Sequence, residues 1–486
     1  MKKIIYFFIF ILTFINFFKH FKNKKKLINK IFEIQNAFKE NKIENFFVQQ
    51  INIRDDFCKV YAFYVNVIFI LRLKYFKSDS KLYIFFLYDF LYGMYWASCN
   101  DLEELFKFYK NVNLPFNKFL EKNFKSQSHN KGTLKNKIKK VGYLFHYGYE
   151  DFSNAVSDAM NSYINYHAKK YNDEIFVYFN YLYDEEYINN KFLKKVKVRK
   201  FLNNKYQNLK SLSDKIYNDE IDLLIIDITS SISSYITHNN VAKKIIRYDH
   251  GYPYWNHKNL DFTLIQAIKY KKLKQVYGDN YSICLPPPIN FKKYDNLYLK
   301  KDNGLENNIR NFYDKEKLNI CVPGRFAKIN KNFLKFVNQI LENKDIKILF
   351  IGEGHYKNIE NILSKNDKDQ FTIINQNMSL KHLSKYCDIV LDTFSSHNGM
   401  TALHLQYFNI PVLSFKDIDA PDFFKNYRLS DLVFDDLEKM KRFIFNLKEN
   451  KFKLEKYGLE SYEKLIKFNE VTLRQNVSNF RDLINK

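Results

Sequence analysis

The hydrophobic pattern of residues 318–416 predicts several buried strands, each followed by a polar or glycine-containing loop. Short apolar runs lie at 320–322, 346–351, 389–391 and 412–415, and such runs are typical of central strands in a parallel sheet. After the first run, apolar residues recur at helical spacing and predict a helix with one face on the sheet: Phe333, Leu334, Val337, Ile340 and Leu341. The alternation of strands and helices predicts an α/β domain.

The loop after the first strand carries three basic residues, Arg325, Lys328 and Lys331, with no acidic residue beside them. Because the loop follows a strand, we expect it at the carboxyl edge of the sheet. There an arginine can bind two phosphate oxygens and a lysine can act as a compact charge. Most of the 78 Lys and Arg residues must be solvated surface, so the position after a strand is what marks these three. Gly352 and Gly354 follow the next strand and permit a tight turn close to a ligand.

Residues 395–399, Ser-Ser-His-Asn-Gly, form a polar loop before a helix that is predicted to start near Gly399. The first free N–H groups of this helix would face the carboxyl end of the sheet. A diphosphate there would gain hydrogen bonds and the positive end of the helix dipole. An ordinary strand, loop and helix without a ligand is the alternative for this segment taken alone.

These segments resemble the carboxyl-terminal half of GT-B glycosyltransferases, with glycosyltransferase family 41 as the nearest family. That family contains O-linked N-acetylglucosamine transferases and bacterial cytoplasmic N-glycosyltransferases of adhesins. The first similar stretch is AKINKNFLKFVNQI, residues 327–340, where the family has a Lys-Ile motif whose lysine binds the diphosphate. The second runs without gaps from LDT at Leu391 through Pro411. The likeness covers about residues 318–416, and more weakly residues 140–290.

The resemblance implies an α/β GT-B fold of two facing Rossmann-like domains, here with an α-helical N-terminal extension. It implies a nucleotide-sugar donor, expected to be UDP-linked, and transfer with inversion at the anomeric carbon. His404 stands where the family has an acidic residue that binds the ribose, so we assign it to the ribose. The residues expected to bind the donor are Arg325, Lys328, Gly352, Gln376, Met378, His397, Asn398, Gly399, Met400, Thr401 and His404.

No metal or other cofactor is expected. Asp417-Ile-Asp419 superficially matches the DxD motif of metal-dependent glycosyltransferases, but it follows the last strand of the nucleotide motif. Arg325, Lys328 and the helix start can neutralise the charge of a leaving diphosphate without a metal ion.

A first catalytic domain is predicted to begin at Val141, after a polar and basic linker at 126–140. Strands at 141–145, 175–179 and 222–227, with a helix from about 153 to 170, give a βαβ pattern. We expect this domain to bind the acceptor, and an inverting transfer needs a base on the acceptor side. The candidates lie in two loops: His146, Glu150 and Asp151 in the first, and Asp249 and His250 in the second. A single histidine in such a loop is more often structural or simply exposed.

The N-terminal residues 4–18 form an apolar run that is short for a membrane-spanning helix, and a Lys cluster follows at 19–26. Three interpretations stay open: a spanning helix, which would keep the following domains in the cytoplasm, an interfacial helix on anionic headgroups, or the first buried helix of the chain. The expected location is the cytoplasm or the inner face of the cytoplasmic membrane. The predicted organisation is an apolar segment (1–26), an α-helical domain with linker (27–140), an acceptor-side domain (141–290), a linker (291–317) and a nucleotide-sugar domain (318–486).

The net charge of +25, from 78 basic and 53 acidic residues, does not predict a nucleic-acid partner, because the lysines are scattered and no nucleic-acid-binding motif is present. The five cysteines are far apart, which predicts reduced thiols. The expected partners are a nucleotide sugar and a protein acceptor. A lipid-linked or surface glycan, as in lipopolysaccharide or capsule assembly, is the alternative acceptor. The nonenzymatic alternative is a catalytically inactive GT-B scaffold. It is consistent with His404, which replaces the acidic residue that binds the ribose in the family.

Overall fold

A computed structural model describes most of the chain from residue 84 onward. The described ranges are 84–92 without 86 and 90, 106–126, 138–145, 155–179, 193–200, 209–226, 230–249, 254–265, 273–283, 288, 303–354, 356–364, 369–376, 380–394, 400–416, 425–448 and 450–482. Residues 4–18 and the Lys cluster after them lie outside these ranges. Within the described ranges, no helix combines the length and apolar character needed to cross a membrane.

Two parallel sheets organise the described residues. The strands of the first sheet have the order β3-β2-β1-β4-β5-β6-β7, and those of the second have the order β10-β9-β8-β11-β12-β13. The first sheet consists of β1 (Lys140–Phe145), β2 (Glu174–Phe179), β3 (Lys197–Lys200), β4 (Leu223–Ile226), β5 (Lys244–Asp249), β6 (Phe262–Ile265) and β7 (Tyr281–Ile283). The second consists of β8 (Leu318–Pro323), β9 (Ile346–Ile351), β10 (Phe371–Ile374), β11 (Ile389–Leu391), β12 (Val412–Phe415) and β13 (Val433–Phe434). All these strands pair in parallel.

Helices connect the strands and cover the sheets. Those described are α1 (Leu114–Asn123), α2 (Ala155–Lys170), α3 (Leu209–Asn218), α4 (Ser231–His238), α5 (Leu273–Tyr277), α6 (Asn303–Phe312), α7 (Lys331–Ile340), α8 (Lys357–Leu363), α9 (Leu380–Leu383), α10 (Met400–Tyr407), α11 (Leu437–Lys448) and α12 (Lys451–Asp482).

The apolar runs of the sequence became strands buried on both faces, as expected for parallel sheets covered by helices. The predicted strands at 389–391 and 412–415 have the observed bounds, and the predicted helix start near Gly399 is observed at Met400. Residues 291–317, predicted as a linker, contain the helix α6. Its Ile309 is buried against the second sheet, so part of this segment packs with the second domain.

The N-terminal helical residues share a core with the first sheet. Phe85, Tyr88 and Phe116 belong to the same hydrophobic cluster as Leu224 of β4 and Ile245 of β5. The carboxylate of Asp89 accepts hydrogen bonds from the backbone N–H and the hydroxyl of Ser231, at 2.7 and 2.9 Å. Ser231 is the first residue of α4, so Asp89 satisfies one N–H group that the helix start leaves without an intrahelical partner.

The C-terminal helix α12 joins the two sheet domains. Near its start, the backbone of Gly458 lies so close to Asn409 that a Cβ atom at Gly458 would meet the Asn409 carbonyl oxygen at 2.1 Å. Near its end, Val477 and Phe480 are buried in the core of the first domain. Asn476 there donates to the hydroxyl of Tyr163, at 2.7 Å. The predicted nucleotide-sugar domain (318–486) therefore does not pack only on the second sheet, because the end of α12 packs on the first domain.

Replacement of Phe480 by alanine should lower the free energy of unfolding by about 3–5 kcal/mol, because its fully buried ring packs on Tyr163 and Tyr248. The matched control is Phe452→Ala in the same helix, whose side chain is 77% exposed and whose loss should change stability by no more than about 0.5 kcal/mol. Urea unfolding followed by tryptophan fluorescence measures both. Equal losses for the two variants would contradict the packing of α12 on the first domain.

Candidate functional site

The second sheet reverses its strand order between β8 and β11. β9 and β10 lie on one side of β8, and β11, β12 and β13 lie on its other side. The carboxyl ends of β8 and β11 therefore flank a crevice at the reversal point, which is where open parallel sheets bind their ligands. The two loops that the sequence singled out, at Arg325 to Lys328 and at 395–399, follow these two strands.

The loop after β8 presents two cations at this edge. Phe326 is buried, and its backbone N–H donates to the carbonyl oxygen of Glu353 at 3.0 Å. Arg325 and Lys328 lie on either side of this anchored residue, and both are partly exposed. Asn330 then caps α7 by accepting from the N–H of Phe333, at 2.8 Å. The anchored Phe326 and the cap hold the loop in place, so its two cations stand at the reversal point.

Gly352 and Gly324 bring the turns after β9 and β8 into direct contact. A Cβ atom at Gly352 would lie 1.9 Å from the carbonyl oxygen of Gly324, and φ is +157° at Gly352 and +117° at Gly324. The N–H of Gly352 donates to the carbonyl of Ile374 at 3.1 Å. Glycine is needed at Gly352 for this close backbone approach. The role of Gly352 in donor binding stays a prediction. The structure places Gly352 against Gly324, which directly precedes Arg325 of the cationic loop.

The loop after β11 is held by an ion pair that the sequence analysis missed. Asp392 follows β11 directly, is fully buried, and lies 2.6 Å from Nη2 of the buried Arg428. Breaking a buried ion pair by removing one partner is costly, so this pair ties the segment after β12 to the loop that leads to α10. The one sequence signal for this pair was the position of Asp392, a charged residue immediately after a buried strand. Nothing in the sequence identified Arg428, 36 positions later, as its partner.

The helix α10 begins at Met400, and its residues are buried on several sides. Ala402 and Leu405 pack in one hydrophobic cluster and Leu403 in another. Thr401 is partly buried and His404 is 7% exposed. His397, Asn398 and Gly399 lie outside the described residues. The helix begins at Met400, next to the predicted start at Gly399. The phosphate role of the helix start and the ribose role of His404 remain predictions.

Of the remaining donor-side predictions, Gln376 is described and Met378 is not. Gln376 is exposed and follows β10, at the same edge of the sheet. Beside it, the side-chain oxygen of Asn375 accepts from the N–H of Gly354 at 3.1 Å, which connects the turns after β9 and β10.

The first sheet reverses its strand order between β1 and β4. The loop after β1 contains His146, Glu150 and Asp151, which lie outside the described residues, as does His250. Asp249 is the last residue of β5, is 2% exposed and pairs with Arg247 at 3.0 Å. Arg247 also donates to the carbonyl of Trp255 and to the hydroxyl of Tyr277, at 2.9 and 3.2 Å. This burial favours a positioning role for Asp249 over direct contact with an acceptor.

The tyrosines around this ion pair are buried phenols. Burial raises the pKa of Tyr277 and of Tyr88 well above the usual range, so both hydroxyls remain protonated and act through hydrogen bonds.

In the part of the chain that the structure describes, no cluster of His, Cys, Asp or Glu could hold a metal ion. Asp417 and Asp419 lie outside that part. Cys321 and Cys387 are buried free thiols.

No protein-family model matches the chain, and no curated protein matches it. Solved structures do resemble it. An O-GlcNAc transferase variant from Thermobaculum terrenum has a TM-score of 0.54 at 12% identity, over 87% of this chain and 85% of that one. A glycosyltransferase from Rickettsia africae has a TM-score of 0.51 at 12% identity, over 72% of this chain and 99% of that one. This chain has the GT-B fold. The α/β architecture expected from the sequence is thereby confirmed.

Replacement of Gly352 by alanine should lower the free energy of unfolding by roughly 3 kcal/mol, because the added methyl group would overlap the Gly324 carbonyl. Gly278→Ala is the matched control: this glycine also has a positive φ, +61°, but a Cβ atom there would have no neighbour within 4 Å. Thermal unfolding of the two variants separates the steric overlap from the cost of a positive φ, which is about 1–2 kcal/mol. A Gly352→Ala variant as stable as Gly278→Ala would contradict the close approach.

Proposed function

We propose that this protein is a metal-independent glycosyltransferase that moves a sugar from a nucleotide sugar to a protein acceptor. The observation that carries the proposal is the place of the cationic loop and the start of α10, which follow the two strands at the reversal point of the second sheet. The GT-B fold is compatible with this function. Because one fold hosts several functions, the specific function is argued from the residues of the site.

The donor-side chemistry is stabilisation of a leaving diphosphate. Lys328 and Arg325 supply positive charge, and the first N–H groups of α10 supply hydrogen bonds to oxygens that gain charge as the bond to the sugar breaks. These groups act without a metal ion or other cofactor. UDP is the proposed nucleotide, and a hexose or N-acetylhexosamine the proposed sugar. The likeness to a structure named as an O-GlcNAc transferase favours the latter.

The acceptor-side chemistry is deprotonation of the attacking group. The acceptor attacks the anomeric carbon opposite the diphosphate, which inverts that carbon, and a base in the loop after β1 or the loop after β5 takes its proton. His146, Asp151 and His250 are the proposed candidates, with Asp249 positioning the second loop. A protein side chain is the proposed acceptor. The apolar residues 4–18 favour a lipid-linked or surface glycan as the second candidate.

Replacement of Lys328 by alanine should weaken UDP binding about 10- to 100-fold, since a hydrogen bond to a charged group contributes about 1.5–3 kcal/mol. The measurement is the rise in melting temperature of the full chain with UDP, GDP, CMP and UDP-sugars, with and without EDTA. Lys335→Ala is the matched control. Lys335 is an exposed lysine one turn into α7, and its removal should leave the UDP effect unchanged.

A UDP effect that survives in Lys328→Ala would contradict the assignment of the diphosphate site. A wild-type chain that responds to no nucleotide would contradict the enzyme and favour an inactive GT-B scaffold. A UDP effect that EDTA abolishes would contradict metal independence.

A further inference from the structure

The last turn of α10 is connected to its surroundings by one buried side chain, that of Gln406. This side chain is 1% exposed, and its nitrogen donates to the carbonyl oxygens of Tyr427 and Ser461, at 2.6 and 2.7 Å. Both partners are carbonyl groups, which accept hydrogen bonds and cannot donate them, so the amide nitrogen must face them. Gln406 therefore uses both of its side-chain N–H groups to bind two separate segments of backbone.

The two backbone segments that Gln406 binds belong to different elements. Ser461 lies in the N-terminal half of α12, and Tyr427 is the last residue of a short 3₁₀ turn, Lys425–Tyr427. The two partners are 55 and 21 positions away from Gln406 along the chain. A single side chain thus fixes the end of α10 to both elements.

Apolar packing supports the same connection. Leu403 of α10 belongs to one hydrophobic cluster with Tyr427 and with Leu465 of α12. The ring of Tyr427 is fully buried and packs edge-on against Phe468, with 4.7 Å between the ring centroids. The hydroxyl of Tyr427 donates to Oγ1 of Thr472, also in α12, at 3.1 Å. The segment that binds the end of α10 is therefore itself held by α12.

The residue after Tyr427 binds the end of the strand that precedes α10. Arg428 pairs with Asp392, which directly follows β11, at 2.6 Å. The N–H of Asp392 also donates to the carbonyl of Leu413 in β12, at 2.9 Å. Two adjacent residues, Tyr427 and Arg428, thus bind the last turn of α10 and the end of β11.

We propose that Gln406 is a positioning residue for the donor: through the backbone of Tyr427 and Ser461 it fixes the direction of α10, and with it the N–H groups at the start of this helix. The inference rests on the proposed function, because the start of α10 is the proposed diphosphate site. The eight residues of α10 share backbone hydrogen bonds and move as one rigid element, so a tilt at the last turn displaces the first. Donors stabilise a developing charge best when they are already aimed at it.

The test compares Gln406→Met with Thr472→Val. Methionine has an unbranched side chain of the same length without a donor, so it keeps most of the packing and removes both hydrogen bonds. Thr472→Val is the matched control, because it removes one buried hydrogen bond to the same residue, Tyr427, and no hydrogen bond of α10. Both variants lose buried hydrogen bonds, so a change in stability alone does not distinguish them.

The first readout is the affinity for UDP, measured by calorimetric titration of the full chain. Gln406→Met should weaken UDP binding about tenfold, the loss expected if the net free energy of one or two hydrogen bonds is removed from donor binding. Thr472→Val should bind UDP with the wild-type affinity. A side chain that serves stability alone would lower the melting temperature and leave the UDP affinity of the folded chain unchanged.

The second readout is hydrogen exchange, measured by mass spectrometry in peptides that cover 400–408. The exchange of the α10 amides should rise about threefold to tenfold in Gln406→Met, because two hydrogen bonds that hold the helix are lost. In Thr472→Val it should stay at the wild-type value. This measurement reports on the attachment of α10 directly and needs no nucleotide.

A folded Gln406→Met variant with the wild-type UDP affinity would overturn the proposal, as would equal losses of affinity in Gln406→Met and Thr472→Val. If Gln406→Met fails to fold, Gln406→Asn decides. Its amide is one methylene group shorter and cannot reach both carbonyl groups at once, so it should weaken UDP binding about threefold. A wild-type chain that does not bind UDP would overturn the proposed function instead, and the exchange measurement would still decide whether Gln406 holds α10.

Discussion

Every strand pair described in the two sheets is parallel, and this one constraint places the chemistry of the molecule. Parallel strands need crossover connections, so all their carboxyl ends lie at the same edge and all their following loops leave from it. Each sheet also reverses its strand order once, between β8 and β11 or between β1 and β4. The loops beside a reversal diverge to opposite faces of the sheet and leave a crevice between them. Arg325, Lys328 and Asp249 lie at these edges, because the strands β8 and β5 end there.

The loops at these edges are held by buried charges. Asp392 pairs with Arg428 after β11, and Asp249 pairs with Arg247 at the end of β5. Each pair lies where a strand ends and a proposed functional loop begins. A buried ion pair contributes little net stability compared with apolar residues of similar size, but removal of either partner is costly. Such pairs therefore restrict the conformations of the chain at the two places where the proposed transfer requires precise geometry.

Two long-range connections make the sheets parts of one assembly. At one end, the helix α12 contacts α10, and its Gly458 meets Asn409 in the turn that follows α10. At the other end, Phe480 is buried in the core of the first domain. The N-terminal helical residues complete the core of the first domain, and Asp89 bonds the start of α4. The N-terminal extension is thus a structural part of the acceptor-side domain in the residues described, in contrast to the separate helical domain that its composition indicated.

The sequence by itself determined central strands such as β8, β9, β11 and β12 and their alternation with helices, and the GT-B fold class was implied by the resemblance to a known family. Runs such as 389–391 and 412–415 are recognisable because burial on both faces requires several consecutive apolar residues, and that requirement is local. It also indicated Arg325, Lys328 and the start of α10, since their positions after strands are local features too.

Only the tertiary structure decided which of these loops are neighbours, through the strand order of each sheet. It also paired Asp392 with Arg428 and Gln406 with Ser461, and it brought Phe480 back to the first domain. Polar contacts of this kind join residues tens to hundreds of positions apart, and their side chains follow no periodic pattern. Their partners are chosen by the packing of whole elements, and a single sequence carries no local signal of that choice.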